Sequence, residues 1–169
     1  MHDAHLVISN GAGLEESIAD LTLSSSGGAI HLPLSDSLPL LAAAHEEGDA
    51  RSSAPDPHVW LDVPNVLVWT DTIRRTLSEL DPGRAGLYQA NADAFRQELE
   101  ELDAWIVKEI AALPLEKRRL VTNHETLGYF ARRHGLELVG AVYPLSPSAE
   151  PSAQDLAALE EAIRQYGLR

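Results

Sequence analysis

The chain has 169 residues and a formal net charge of −13, with 44% hydrophobic and 23% charged residues. That length can bury a core, as one large domain or parts of two, and the composition is that of an ordinary soluble protein rather than a disordered one. Neutralising phosphates takes clustered Lys and Arg, and here the basic residues come only in short runs such as Arg74-Arg75, Lys117-Arg118-Arg119 and Arg132-Arg133, which argues against nucleic acid as a partner.

There is no cysteine, which excludes a disulfide framework, cysteine-type zinc sites, a thiol nucleophile and a lipid-anchored N-terminal cysteine in this chain. The opening MHDAHLVISNGAGLEE has no basic region followed by a long apolar core, so no signal peptide is expected here. No apolar run approaches the roughly 20 residues that span a bilayer, so direct membrane insertion is not expected.

His5 to Ser9 (HLVIS) reads as a strand, Asn10-Gly11-Ala12-Gly13 as a turn and LEESIADL as a helix, the rhythm of a layered α/β sheet. The glycine turn invites a dinucleotide reading, but the third glycine of G-x-G-x-x-G falls at Glu16, where a carboxylate would repel a pyrophosphate. Ala29 to Leu32 is a second strand candidate. Residues 33 to about 57 read as irregular, and the HEEGD run within them, with His45, Glu46 and Glu47 adjacent, reads as a solvated loop rather than a loose cation site.

From Asp62 the pattern turns helical. Asp62 can cap, Pro64 sits in the first turn, and Val66, Trp69, Ile73, Leu77 and Leu80 recur at spacings of three and four. Asp81-Pro82-Gly83 ends this helix. A longer one follows from about 84 to 113, with Tyr88, Phe95, Leu99, Leu102, Ile106, Ile110 and Leu113 on one stripe, until Pro114. At roughly 1.5 Å per residue it spans about 45 Å, more than one lobe requires, so it either crosses the whole body or links two lobes.

The αβ rhythm then returns: Arg119 to Thr122 as strand, Glu125 to His134 as helix closed by Gly135, Leu136 to Val142 as strand, and EPSAQDLAALEEAIRQYG as a helix. In that last helix Leu156, Leu159, Ile163 and Tyr166 fall in register. Alternation of strand and helix favours parallel sheets. No internal repeat is evident.

Two histidines stand out. His58 lies in PDPHVWLDV, a proline-flanked turn just before a helix, and His124 lies in RLVTNHETLGYFARRHGL at the carboxyl end of a strand, where open α/β sheets place ligand residues. Each has a plain alternative: a hydrogen-bonded core histidine for His58 and a helix cap for His124. Their separation excludes a zinc-finger loop or an H-E-x-x-H helix, so if they meet, the fold must bring them together.

DPHVWLD, a helix and a long helix, LVTNHETLGYFARRHGL and then AEPSAQDLAAL together resemble the zinc/manganese-binding solute-binding proteins of ABC importers, and NGAGLEE resembles a segment of the same family. The match runs over nearly the whole chain in the family's order. The resemblance implies an α/β fold with parts of two Rossmann-like lobes, their parallel sheets joined by one long rigid helix. The division would be a partial N-terminal lobe (1–83), a linking helix (84–113) and a partial C-terminal lobe (114–169). Carried over by position, His58 and His124 are metal ligands for Zn²⁺, with Mn²⁺ possible; imidazole at both positions suits zinc, whereas manganese prefers more carboxylate oxygen. Trp60 reads as packing, and Glu150 as a helix-start residue or one supporting a ligand.

The same resemblance implies ion transport without catalysis. The metal would be captured and handed to an ABC permease, outside the cytoplasmic membrane, in the periplasm or at the cell surface. The family's first ligand histidine lies upstream of NGAGLEE and its fourth ligand, a carboxylate, beyond residue 169; His2 and His5 do not sit in the ligand motif. Two of four ligands are therefore expected, in what reads as the middle portion of such a protein, with uncovered sheet edges through which copies would self-associate. The competing readings are an interaction-only remnant without a complete metal site and, further off, a metal-dependent hydrolase, for which Glu125 is the obvious neighbouring base.

Overall fold

The structure, a computed structural model, describes residues 3–20, 27–42, 55–143 and 153–167. Its strands are β1 (Leu6–Ser9), β2 (Ile30–Pro33), β3 (Arg119–His124) and β4 (Glu137–Tyr143), and its helices are α1 (Val63–Leu80), α2 (Ala85–Ala111), α3 (Gly128–His134) and α4 (Ala153–Tyr166). Among the described residues the strands form two parallel pairs, β1 with β2 and β3 with β4. The α/β class with parallel sheets and a long helix is thus present. The HEEGD run and Glu150 lie outside the described residues.

The Asn10–Gly13 turn after β1 takes left-handed backbone at Gly11, Ala12 and Gly13 (φ 79°, 53° and 83°). Such a turn turns amides inward, and the Glu15 carboxylate accepts from the backbone N–H of Asn10 (2.6 Å) and Gly11 (3.0 Å). Glu15 therefore fastens the turn from within, whereas the sequence reading counted it among the residues of a helix. What forms there is a short 3₁₀ turn, Glu16–Ile18, and the continuation at 21–26 is outside the described residues.

α1 and α2 form a helical hairpin joined by a 3₁₀ turn at Pro82–Arg84. The 27 residues of α2 extend about 40 Å at 1.5 Å per residue. Its inward seam differs from the expected stripe. Leu99 of that stripe is buried, but so is Ala92, while Phe95 and Leu102 are each 45% exposed. Large apolar side chains suggested the stripe, but the 3.6-residue period carries the seam through small Ala92 and polar Arg96 and Asp103, all less exposed than Phe95. Asp62 occupies the N-cap position of α1 without a side-chain cap bond; its carboxylate faces Arg133 instead.

β3 runs to His124, two residues beyond the expected strand, and pairs that residue with Tyr143 of β4. α3 starts at Gly128 rather than Glu125 and ends at Gly135, whose left-handed backbone (φ 66°) closes the helix. α4 packs on β4, where Leu159 lies so close to Gly140 that a Cβ there would be 2.8 Å from its Cδ1.

α3 is one element through which the two sheet-bearing regions touch. Arg133 reaches Asp103 on α2 (2.6 Å) and Asp62 at the start of α1 (3.3 Å). One guanidinium thus spans three helices. Among the described residues no helix is long and apolar enough to cross a membrane.

Candidate metal centre

The PDPHVWLDV turn is held from four directions. Asn10 Nδ2 donates to the Pro57 carbonyl (3.0 Å), so the β1 turn grips the residue before His58. Asn65 Nδ2, buried in α1, donates to the Val59 carbonyl (2.9 Å). The Asp56 amide donates to the Leu41 carbonyl (2.9 Å), beside a bridge between Ala42 and Pro55. From the far side, the Tyr129 hydroxyl on α3 donates to the Asp56 carbonyl (3.1 Å). Val59 is fully buried, and burial of a valine side chain contributes about 1.5–3 kcal/mol to keeping the turn seated.

Within this frame Asp56 orients His58. Its Oδ1 accepts both the His58 backbone N–H (2.9 Å) and the ring Nδ1–H (2.8 Å). Committing Nδ1 as the donor leaves Nε2 as the lone-pair nitrogen, the arrangement by which a carboxylate fixes the tautomer of a metal-binding imidazole. Both side chains are buried, at 8% and 7% exposure, so the pair is shielded from competing water. The opposite carboxylate oxygen faces Gly128. A Cβ at that position would lie 2.7 Å from Asp56 Oδ2, so glycine is what allows α3 to close onto the turn.

His124 arrives from β3. Its carbonyl accepts from the Thr122 hydroxyl (3.0 Å), and its ring stands at 81° to that of His58 with centroids 5.5 Å apart. Two imidazoles bound through one nitrogen each to a tetrahedral ion, at Zn–N distances of about 2.0–2.1 Å, would hold their centroids roughly 5 Å apart. The fold therefore brings together the two histidines that the sequence singled out, at a spacing that suits a shared ion. Trp60 packs edge-on against His58 at 5.3 Å. Among the described residues no group of three or more His, Cys, Asp or Glu side chains is arranged to hold an ion. His5 leads into β1, its carbonyl accepting from the Ile30 amide.

Asp56, Asn10, Asn65, Gly128 and Tyr129 were not read as site residues from the sequence. Asp56 had a local signal, a carboxylate two residues before a histidine on a stiff turn. The others act through contacts between distant segments.

The whole chain, residues 1–169, matches the family described as ZnuA, zinc-uptake complex component A, periplasmic. The chain belongs to this family. It is 34% identical over 168 residues to the manganese-binding lipoprotein MntA of Halalkalibacterium halodurans, covering 98% of this chain and 53% of that protein. To the zinc-binding protein TroA of Treponema pallidum it is 31% identical over 169 residues, covering 98% of this chain and 52% of TroA. The solved structure of periplasmic zinc-binding protein TroA from Treponema pallidum superposes with a TM-score of 0.86 at 30% identity, over 99% of this chain and 58% of that one. The chain thus spans about half the length of the curated relatives it matches.

Proposed function

We propose that this chain forms part of a metal-capturing solute-binding protein, in which His58 and His124 supply two ligands to a transition-metal cargo that is delivered to an ABC permease. The observation that carries the reading is the pairing of the two imidazoles at 5.5 Å with the Asp56 carboxylate already fixing the His58 tautomer. The cargo is Zn²⁺ in preference to Mn²⁺: two neutral imidazoles are a borderline-soft donor set, and a manganese site would draw more on carboxylate oxygen. Relatives of both kinds, named zinc-binding and manganese-binding, support the metal class. Capture needs only ligand exchange and cleft closure, so no catalytic residue is assigned. By analogy with the periplasmic and lipoprotein relatives, the working place is the periplasm or the cell surface.

In this reading the chain divides into a partial lobe (1–83), a linking helix (84–113) and a second partial lobe (114–169), with the metal at the contact between the first and last. A second reading has its own support, because among the described residues only two ligands converge, and a closed zinc site wants four. It holds that the chain is an interaction module that self-associates through its two-stranded sheets. Calorimetric titration of the metal-stripped chain with Zn²⁺ and Mn²⁺, beside a His58→Ala/His124→Ala double variant, separates the two. Saturable 1:1 zinc binding that disappears in the variant supports metal capture. Binding indistinguishable from the variant, together with concentration-dependent sedimentation, supports the interaction module.

A further inference from the structure

The Tyr129 side chain is 5% exposed and sits in the first turn of α3, five residues after His124. Its hydroxyl uses both of its capacities. It accepts the Leu41 backbone N–H at 2.9 Å and donates to the Asp56 carbonyl at 3.1 Å, across 88 and 73 residues of sequence. Leu41 and Asp56 are themselves joined, since the Asp56 amide donates to the Leu41 carbonyl at 2.9 Å. The phenol therefore closes a three-membered ring of hydrogen bonds on the residue that holds the His58 imidazole. Burial pushes its ionisation up, against the lowering contribution of the Leu41 amide, so it remains an O–H donor at neutral pH.

The neighbour in the chain strengthens the case. Gly128 gives Asp56 so little room that a methyl group would touch Oδ2 at 2.7 Å. Two consecutive residues of α3 thus bear on Asp56, one on its carboxylate and one on its carbonyl. A phenylalanine would fill the same space; the tyrosine adds a hydroxyl shared between two backbone groups of the opposite region.

We propose that Tyr129 is a positioning residue for the metal centre. Through Asp56 it sets the His58 ring at the distance from His124 that lets one ion bind both. His124 and Tyr129 leave the same β3–α3 corner, so the corner that presents one ligand also measures the placement of the other. This rests on the metal-capture reading for its consequence, and on apo-protein geometry for its test.

The test compares Tyr129→Phe, which keeps the ring and removes the O–H, with Leu99→Val, which perturbs a buried position of α2. Two readouts are taken on the full 169-residue chain: the cross-ring nuclear Overhauser contact between His58 and His124 with the His58 ¹⁵N tautomer in metal-free protein, and zinc affinity by chelator competition. We expect Tyr129→Phe to lose the cross-ring contact and to weaken zinc about 10-fold, the lower end for partners that orient a metal ligand; Leu99→Val should change neither. Retention of the contact and of zinc affinity within twofold would overturn the proposal, as would equal loss in Leu99→Val. If the unaltered chain binds no zinc, metal capture fails, and the cross-ring contact still decides whether Tyr129 places the histidines.

Discussion

The two histidines at the centre of this protein are held in different ways. His58 is built in before any ligand arrives: its backbone and ring are both fastened to Asp56, and the residues on either side of it are tied to β1 and α1. His124 is placed by strand pairing, with the Thr122 hydroxyl donating to its carbonyl. It is the last residue of β3, half-buried and registered against Tyr143. One imidazole is fixed by a network of polar contacts, the other by the position of a strand end. The comparison suggests a division of labour in which His58 defines the site and His124 reports whether the β3–α3 region has come up to it.

The largest expected effect tests that asymmetry. His58→Ala and His124→Ala should both weaken zinc by more than the roughly 10–100-fold seen when a supporting residue is lost. Only His58→Ala strips a buried carboxylate of its ring partner, so only it should also destabilise the fold, by about 1–3 kcal/mol in urea unfolding. Equal stability losses would remove the distinction between the two.

Gly128→Ala probes the same distinction from the other side. Its new Cβ must displace the Asp56 carboxylate, which lies 2.7 Å away, and overpacking of this kind costs about 1–3 kcal/mol. Zinc affinity should fall with the orientation of His58, while β3–β4 pairing, read by amide exchange of Thr122 and Ala141, stays protected. Loss of protection in β3 would mean that the two histidines are not independently held.

The site was legible where its chemistry was local and illegible where it depended on tertiary contact. A histidine on a proline-stiffened turn and another at a strand end are marked by their local sequence. Asp56 lies two residues from His58 but is not marked in the same way, because its value comes from being pressed by Gly128 and Tyr129, which no short window contains. The same limit applies to the helices. Of the expected stripe on α2 the hairpin buries Leu99 but leaves Phe95 and Leu102 exposed, and it buries Ala92, which size alone does not mark. Asp62 was read as a cap, but Arg133 turns its carboxylate toward α3. The parallel α/β layout and the long helix followed from periodicity and punctuation, which are sequence-local properties.

A smaller effect concerns the polar contact beneath α3. Burial, and then the neighbouring Arg133 guanidinium, hold the ionisation of His134 below its usual 6.5, against the raising influence of Asp103 and Asp62. The unfolded chain therefore binds more protons than the folded one in the window just below pH 6.5. The stabilising contribution is complete above 6.5 and is lost as pH falls toward the lower folded value. Asp62 is raised by burial and acts in the opposite sense, losing its contribution as pH rises above 3.8. Comparison with His134→Gln isolates the histidine: unfolding free energy of the variant should slope less between pH 7 and 5 than that of the unaltered chain. Parallel slopes would mean that His134 titrates alike in both states.

Zinc K-edge X-ray absorption on the zinc-loaded chain and on the His58→Ala/His124→Ala variant probes metal capture by these two residues directly. Two imidazoles should coordinate the zinc, with a multiple-scattering signature that vanishes in the variant. An unchanged imidazole count in the variant would contradict such capture, because the metal would then be held elsewhere on the chain.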